Sequence, residues 1–390
     1  MAIAEIYMDY NATTPLNEAV RAAMLEDIAI FGNASSLHAF GRKAQSRIEN
    51  ARVAIGALIG GAASSLVFTS GGSESNNTVF QTMMQLASGH SPGAEGRTGI
   101  ITSAIEHPCV LNSALFLQEQ GYNVHILPVD SYGKLNMDAL KAALEDAPLL
   151  VSIMMANNET GVIQDIKTIA ALAKSAGAYV HTDAVQAVGK IPVNVQDLGV
   201  DYLTVSAHKI YGPKGIGALW VKPGAPLLPL IHGGHQENGL RAGTYNNLGI
   251  MGFGTAATIA RDQIEAYSQA MAPLRNQLRD GLLEHIPNIH INGHPEDTLP
   301  NTLNVSFPGA EGESIMLAMD LEGIAVSTGS ACASGSLEPS HVLLATGIER
   351  EVAHGSIRFS LGWGITQEHI AYVIATLPPI IARLRAMSTI

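Results

Sequence analysis

Two polar clusters stand directly behind apolar runs. His181-Thr182-Asp183-Ala184-Val185-Gln186 follows Ala178-Tyr179-Val180, and Ser206-Ala207-His208-Lys209 follows Tyr202-Leu203-Thr204-Val205. The apolar runs read as buried β-strands, so Asp183 and Lys209 fall at strand C-terminal ends, where open α/β sheets place their ligands. A lysine and a carboxylate so placed suit pyridoxal phosphate. The amine forms an imine with the cofactor aldehyde, and the carboxylate keeps the pyridine nitrogen protonated. Alone, Asp183 reads as a turn cap and Lys209 as an exposed side chain beside Tyr211-Gly212-Pro213-Lys214-Gly215. Their pairing favours the cofactor.

Such a site needs a phosphate cradle. Thr69-Ser70-Gly71-Gly72-Ser73-Glu74-Ser75-Asn76 joins a strand to a helix, and backbone N–H groups at a helix N-terminus attract an anion. The same loop alone is an ordinary capping turn. Neither GxxxxGK nor GxGxxG occurs, so nucleotide-loop folds are not supported. Glu106-His107-Pro108 follows another strand. An imidazole there could lie over the cofactor ring and shuttle protons, or be a hydrogen-bonded loop histidine.

The elements that must position these residues alternate in type. Strands are predicted at 65–69, 98–102, 123–127, 149–155, 178–180 and 202–205, with helices over 76–86, 110–120, 137–145 and 166–176. This βα alternation predicts an α/β fold with a mostly parallel sheet covered on both faces. Beyond residue 250 the pattern changes. A long helical stretch at 252–283 leads to a smaller α+β unit with strands near 289–291, 303–307 and 356–360. The expected division is a large domain of 14–258 and a small one of 1–13 plus 259–390. Residues 87–96 read as a surface loop.

The 390 residues are 47% apolar and 14% charged, which marks a globular chain. A formal net charge of −12 disfavours a nucleic-acid surface. No apolar run is read as reaching the roughly 18–20 residues of a membrane span. The start, Met1-Ala2-Ile3-Ala4-Glu5, lacks signal-peptide character, so a cytoplasmic enzyme is expected. Cys109 and Cys332 form no CxxC pair, and a disulfide between them is not expected in a reducing compartment. His232 with His235 lacks the partners of a usual metal site, and none is expected.

In its ordered motifs the chain resembles the cysteine desulfurases of the iron–sulfur and nitrogen-fixation type. These are pyridoxal-phosphate enzymes of the aspartate-aminotransferase-like fold. The likeness runs through Met8–Pro15, Gly32–His38, Ser70–Asn76, Glu106-His107, Asn157–Gly161, Asp183 with Gln186, Ser206–Lys209, Gly233–Glu237, Arg241–Thr244, Ser330-Ala331-Cys332 and Arg358. It departs at His235, where glycine is usual, and at Ala34, where proline is. The resemblance implies that Lys209 carries the cofactor, Asp183 partners its pyridinium and His107 stacks on the ring as acid and base. It implies that Gln186 bonds the phenolic oxygen, and that Gly72, Ser73, Ser206 and His208 hold the phosphate. Thr244 would come from the second subunit of a homodimer. Asn158 and Arg358 would hold the substrate carboxylate, and Asn11, Ala12 and Thr13 would line the pocket.

Cys332 selects the reaction. It lies in Ser327–Ser336, a run of small residues with no apolar anchor, which predicts a mobile segment. By the resemblance its thiol attacks the sulfur of bound L-cysteine. L-alanine and a persulfide result, the latter for an acceptor such as an iron–sulfur scaffold protein. Lysis of selenocysteine or another β-substituted amino acid is the alternative. Cys109, beside His107, is a rival thiol, although Val110-Leu111 behind it suggests packing.

Overall fold

A computed structural model describes residues 5–89, 97–329 and 338–387. The first half holds β1 (Ile6–Tyr7), α1 (Glu18–Asp27), α2 (Ala39–Leu58), β2 (Leu66–Thr69), α3 (Gly72–Ala87), β3 (Ile100–Ser103), α4 (Pro108–Glu119), β4 (Val124–Leu127) and α5 (Met137–Leu144). Next come β5 (Leu150–Ser152), α6 (Ile166–Ser175), β6 (Tyr179–Asp183), α7 (Val195–Leu198), β7 (Tyr202–Ser206), β8 (Gly217–Val221) and α8 (Asn247–His285). The chain finishes with β9 (His290–Asn292), β10 (Thr302–Ser306), α9 (Gly312–Leu321), β11 (Ile324–Ala325), β12 (Ser327–Thr328), α10 (His341–Ala345), α11 (Arg350–His354), β13 (Ser356–Ser360) and α12 (Gln367–Met387).

Seven strands form the main sheet in the order β2-β8-β7-β6-β5-β3-β4. The pairs from β7 through β4 are parallel, whereas β8 runs antiparallel to both β7 and β2. Side chains alternate between two apolar cores, as a sheet covered on both faces requires. Ile101, Val151, Val180 and Leu203 enter one core with residues of α2, α5, α6 and α8. Ile100, Leu150, Tyr202 and Leu219 enter the other with residues of α3 and α4. The expected strand at 149–155 is regular only to Ser152; beyond it Ile153 and Met155 still donate to the His181 and Asp183 carbonyls of β6 at 3.1 and 2.9 Å, while the Met154 N–H donates to Glu106 Oε1 at 2.9 Å. β8 had no counterpart in the sequence reading.

A third core gathers Ile6, Met8 and Tyr10 with Leu303, Val305, Ile357, Phe359 and residues of α9 and α12. It lies on the antiparallel sheet β12-β13-β10-β9 and the parallel pair β1-β11. α8 serves both units, with Ala256 and Ala257 in the first core and Tyr267 and Met271 in the third.

One expectation needs correction. By length and hydropathy α12 is sufficient to cross a bilayer. Ile370, Val373, Leu377, Ile380 and Ile381 instead line up at helical spacing and pack into the third core. The interruptions Glu368, His369, Arg383 and Arg385 masked that length in the sequence.

Candidate active site

The strand ends of the main sheet open onto a cavity of ≈ 380 Å³, within the range of cofactor sites. Among the residues expected at a site, its walls hold Asn11, Ala12, Gly72, Ser73, His107, Asn158, Asp183, Gln186, Ser206, His208, Lys209 and Arg358. Thr13 stands behind this wall, its Oγ1 3.1 Å from His208 Nδ1. Thr244 is exposed and does not line the cavity. Cys332 lies outside the described residues, as do residues 90–96 of the expected surface loop.

Asp183 closes β6 and is buried. Its Oδ2 accepts from Asn76 Nδ2 at 2.7 Å and its Oδ1 from the Val185 N–H at 2.9 Å. Asn76, which the sequence reading left without a role, thus ties the carboxylate to α3. Lys209 follows β7 on a single 3₁₀ turn. Its Nζ donates to the carbonyls of Asn11 and Ala12 at 2.5 and 2.7 Å.

His107 is the N-cap of α4, and its Nδ1 accepts from the Cys109 N–H at 3.2 Å. Cys109 Sγ lies 3.0 Å from the same nitrogen. A nitrogen that accepts from an amide carries no proton, so the neutral ring keeps its proton on Nε2. Burial, with Lys209 and His341 adding to it, holds the imidazole below its ordinary pKa against the pull of Asp183. Burial also pushes the Cys109 thiol up to about 12, with Asp183 raising it further. The rival cysteine is therefore a protonated thiol rather than a nucleophile. His208 is lowered to about 4, first by burial and then by Lys209, and is neutral at physiological pH.

Arg358, on β13, also lines the cavity and is buried. Its Nη2 donates to Asp9 Oδ1 at 2.6 Å and its Nη1 to the Asn158 carbonyl at 3.2 Å. Its Nε has no hydrogen-bond partner among the described residues. Beside it, Glu159 accepts a short hydrogen bond from Ser340 Oγ. Burial pushes this carboxyl up to about 7, with Ser340 and Arg358 opposing.

These residues fit pyridoxal phosphate. The N-terminus of α3 has no side-chain cap, which leaves its first amides free to meet an anion. At Gly72 a Cβ would come within 3.0 Å of Val185 Cγ2, another residue of the cavity wall, so a side chain there would crowd that wall. A fixed carboxylate faces the same space as a lysine amine.

The profile of the class-V aminotransferases matches residues 6–373. A cysteine desulfurase IscS of Dictyoglomus turgidum is 47% identical over 98% of this chain and 96% of its own length. A cysteine desulfurase of Gluconacetobacter diazotrophicus is 48% identical, covering 98% and 95%. Among solved structures, a NifS-like protein superposes with a TM-score of 0.90 at 37% identity, covering 97% of this chain and 100% of that one. A NifS-like protein from Rickettsia africae gives 0.88 at 33% identity, with the same coverage. With likeness of this extent joined to a cavity of this chemistry, the chain belongs to the class-V aminotransferases and, within them, to the pyridoxal-phosphate-dependent cysteine desulfurases.

Proposed function

We propose that the protein transfers the sulfur of L-cysteine to its own Cys332, releasing L-alanine. One observation carries the reading: Asp183, His107 and Lys209 share a single cavity with Asn11, Asn158 and Arg358. Residues suited to the cofactor thus share one cavity with residues that can bind a carboxylate. Two of the five guanidinium N–H groups of Arg358 are engaged, which leaves donors for the substrate carboxylate beside the Asn158 amide.

Gly72, Ser73, Ser206 and His208 would hold the cofactor phosphate, Gln186 its phenolic oxygen and Asp183 its ring nitrogen. Bound pyridoxal 5′-phosphate supplies an electron sink for the pair released at the substrate Cα. Lys209 anchors the cofactor and serves as base for the Cα proton. His107, with its proton on Nε2, moves protons at the substrate sulfur. The Cys332 thiolate attacks that sulfur, so an S–S bond forms as the Cβ–S bond breaks. Protonation at Cβ and return of a proton to Cα by Lys209 complete alanine, leaving the added sulfur as a persulfide on Cys332. Asn11, Ala12 and Thr13 shape the substrate side.

Thr244 would reach the phosphate of a second subunit, in keeping with its exposure here. Arg241 fixes its loop on α3 through Glu74, with Nε to Oε1 at 2.9 Å. The persulfide would pass to an acceptor protein, an iron–sulfur scaffold being the fitting class, in the reducing cytoplasm where thiols persist.

Incubation of the purified holoenzyme with L-cysteine should yield alanine and a mass increase of one sulfur on the peptide carrying Cys332. Cys332→Ala should keep the cofactor absorbance and lose sulfur transfer. Alanine formed at the wild-type rate by that variant would remove Cys332 from the role.

A further inference from the structure

Lys190 is a buried lysine beside the site that the mechanism leaves unused. It is 2% exposed, four residues beyond Gln186, and among the described residues no carboxylate is a hydrogen-bond partner of it. Its Nζ donates to Gln186 Oε1 at 2.6 Å and to Asn11 Oδ1 at 2.9 Å. Burying an amine this way is costly unless its hydrogen bonds do something the fold or the site needs.

The two acceptors show what that is. A primary amide has one oxygen and one NH₂ group, so the partner of the oxygen decides which way the group faces. With Oε1 taken by Lys190, Gln186 turns Nε2 toward Asn11. One N–H donates to the Asn11 carbonyl at 2.8 Å, and Gln186 still lines the cavity. Asn11 is fixed likewise: its Oδ1 accepts from Lys190 and from Asn301 Nδ2 at 3.1 Å. Its Nδ2 therefore donates to the Asn158 carbonyl and to Thr302 Oγ1, at 3.1 and 2.9 Å. The Asn11 carbonyl that receives Gln186 also receives Lys209 Nζ.

We infer that Lys190 is a positioning residue that locks the Gln186 amide with an N–H, and not its oxygen, toward the phenolic oxygen of the cofactor. The inference rests on the role proposed above for Gln186. Without the Lys190 donor the amide oxygen loses its partner, and only the bond to the Asn11 carbonyl opposes a turn that sets the carbonyl against a negatively charged oxygen. Burial drives the lysine pKa well down, with Lys209 and Arg358 adding to it. A neutral amine still donates both hydrogen bonds.

The test is a pH titration of the absorbance of the bound cofactor, with a dissociation constant for pyridoxal 5′-phosphate, on Lys190→Met, Gln186→Ala and the double variant. An N–H donor favours the ionised oxygen. Losing it should raise the absorbance midpoint by about one pH unit and weaken cofactor binding about tenfold, the worth of one hydrogen bond to a charged group. Lys190→Met should match Gln186→Ala, and the double variant should add nothing. Lys190→Gln keeps a donor and should stay close to wild type. If Gln186→Ala leaves the midpoint unmoved, the role of Gln186 itself falls and this inference with it. If Gln186→Ala moves the midpoint and Lys190→Met does not, or if the two effects add in full, only the positioning role of Lys190 is overturned. If Lys190→Met does not fold, Lys190→Leu replaces it. Failure of both to fold while Lys190→Gln loads normally would show a role in the fold alone, and would likewise overturn the inference.

Discussion

Arg52 and Arg358 are both buried arginines paired with a carboxylate, and they are used in opposite ways. Arg52 meets Glu237 as a fork, Nη1 to Oε2 at 2.8 Å and Nη2 to Oε1 at 2.7 Å. It also donates to the Leu66 carbonyl and lies over the Phe68 ring, 4.5 Å from its centre. Glu237 in turn accepts from the Phe68 N–H at 2.8 Å. Every oxygen of that pair is matched within the protein, so the pair fastens the 237 loop to α2 and β2. Arg358 has a single bond to Asp9 and one to a backbone carbonyl, and its Nε is unmatched. A buried donor without a partner costs about 1–3 kcal/mol. That cost is tolerable where a ligand with its own negative charge is to arrive. Completeness of hydrogen bonding thus separates a structural arginine from one kept ready for a ligand.

The comparison breaks first at Arg52. Arg52→Met leaves Glu237 buried without its cation and should cost about 3–5 kcal/mol in denaturant unfolding. The folded fraction should keep its kcat/KM within a few fold. A loss under about 1 kcal/mol would mean that the pair is not the fastening described. Next in size, Arg358→Lys keeps the charge but loses the planar fork. It should lower kcat/KM about 100-fold, with KM carrying much of it, while unfolding changes little. Equal losses of stability in both variants would erase the distinction between the two arginines.

The last prediction concerns pH. Burial raises the Glu106 carboxyl from 4.5 to about 8, with Asp183 adding to it and the bonds from Ser103 and Met154 opposing. The folded state therefore holds a proton that the unfolded state releases. Stability is full below 4.5 and falls as pH rises through about 8. Glu106→Gln should flatten that slope, measured as unfolding free energy across the window, with little change at its acid end. An unaltered slope would assign the pH dependence to other groups, Glu159 among them.

Much of the site was legible because its residues sit at strand ends, and strand ends are readable from short apolar runs. Asp183 and Lys209 followed from that logic alone. Asn11, Asn158 and Arg358 came only with the family likeness, since nothing local marks a polar residue in an N-terminal turn or on a strand as a site residue. Asn76 and Lys190 were missed. A lysine in sequence reads as solvated, and its burial arises only where Gln186 and Asn11 close around it. The strand β8 was hidden for a related reason: its five residues follow a glycine-rich turn, and its antiparallel place between β2 and β7 has no βα signature.

The sequence by itself determined the βα alternation of the main sheet, its two covered faces and the residue types that do chemistry. These depend on short-range periodicity and on side-chain identity. Tertiary structure decided how the walls of the cavity meet. Asp9 reaches Arg358 across 349 positions, and Asn11 reaches Lys190 across 179. No periodic pattern records contacts at such separations. They exist because β1 pairs with β11 and Met8 packs into the third core, which carries residues 9–13 over the strand ends of the main sheet. That crossing brings one asparagine within reach of Lys190, Gln186 and Lys209 together.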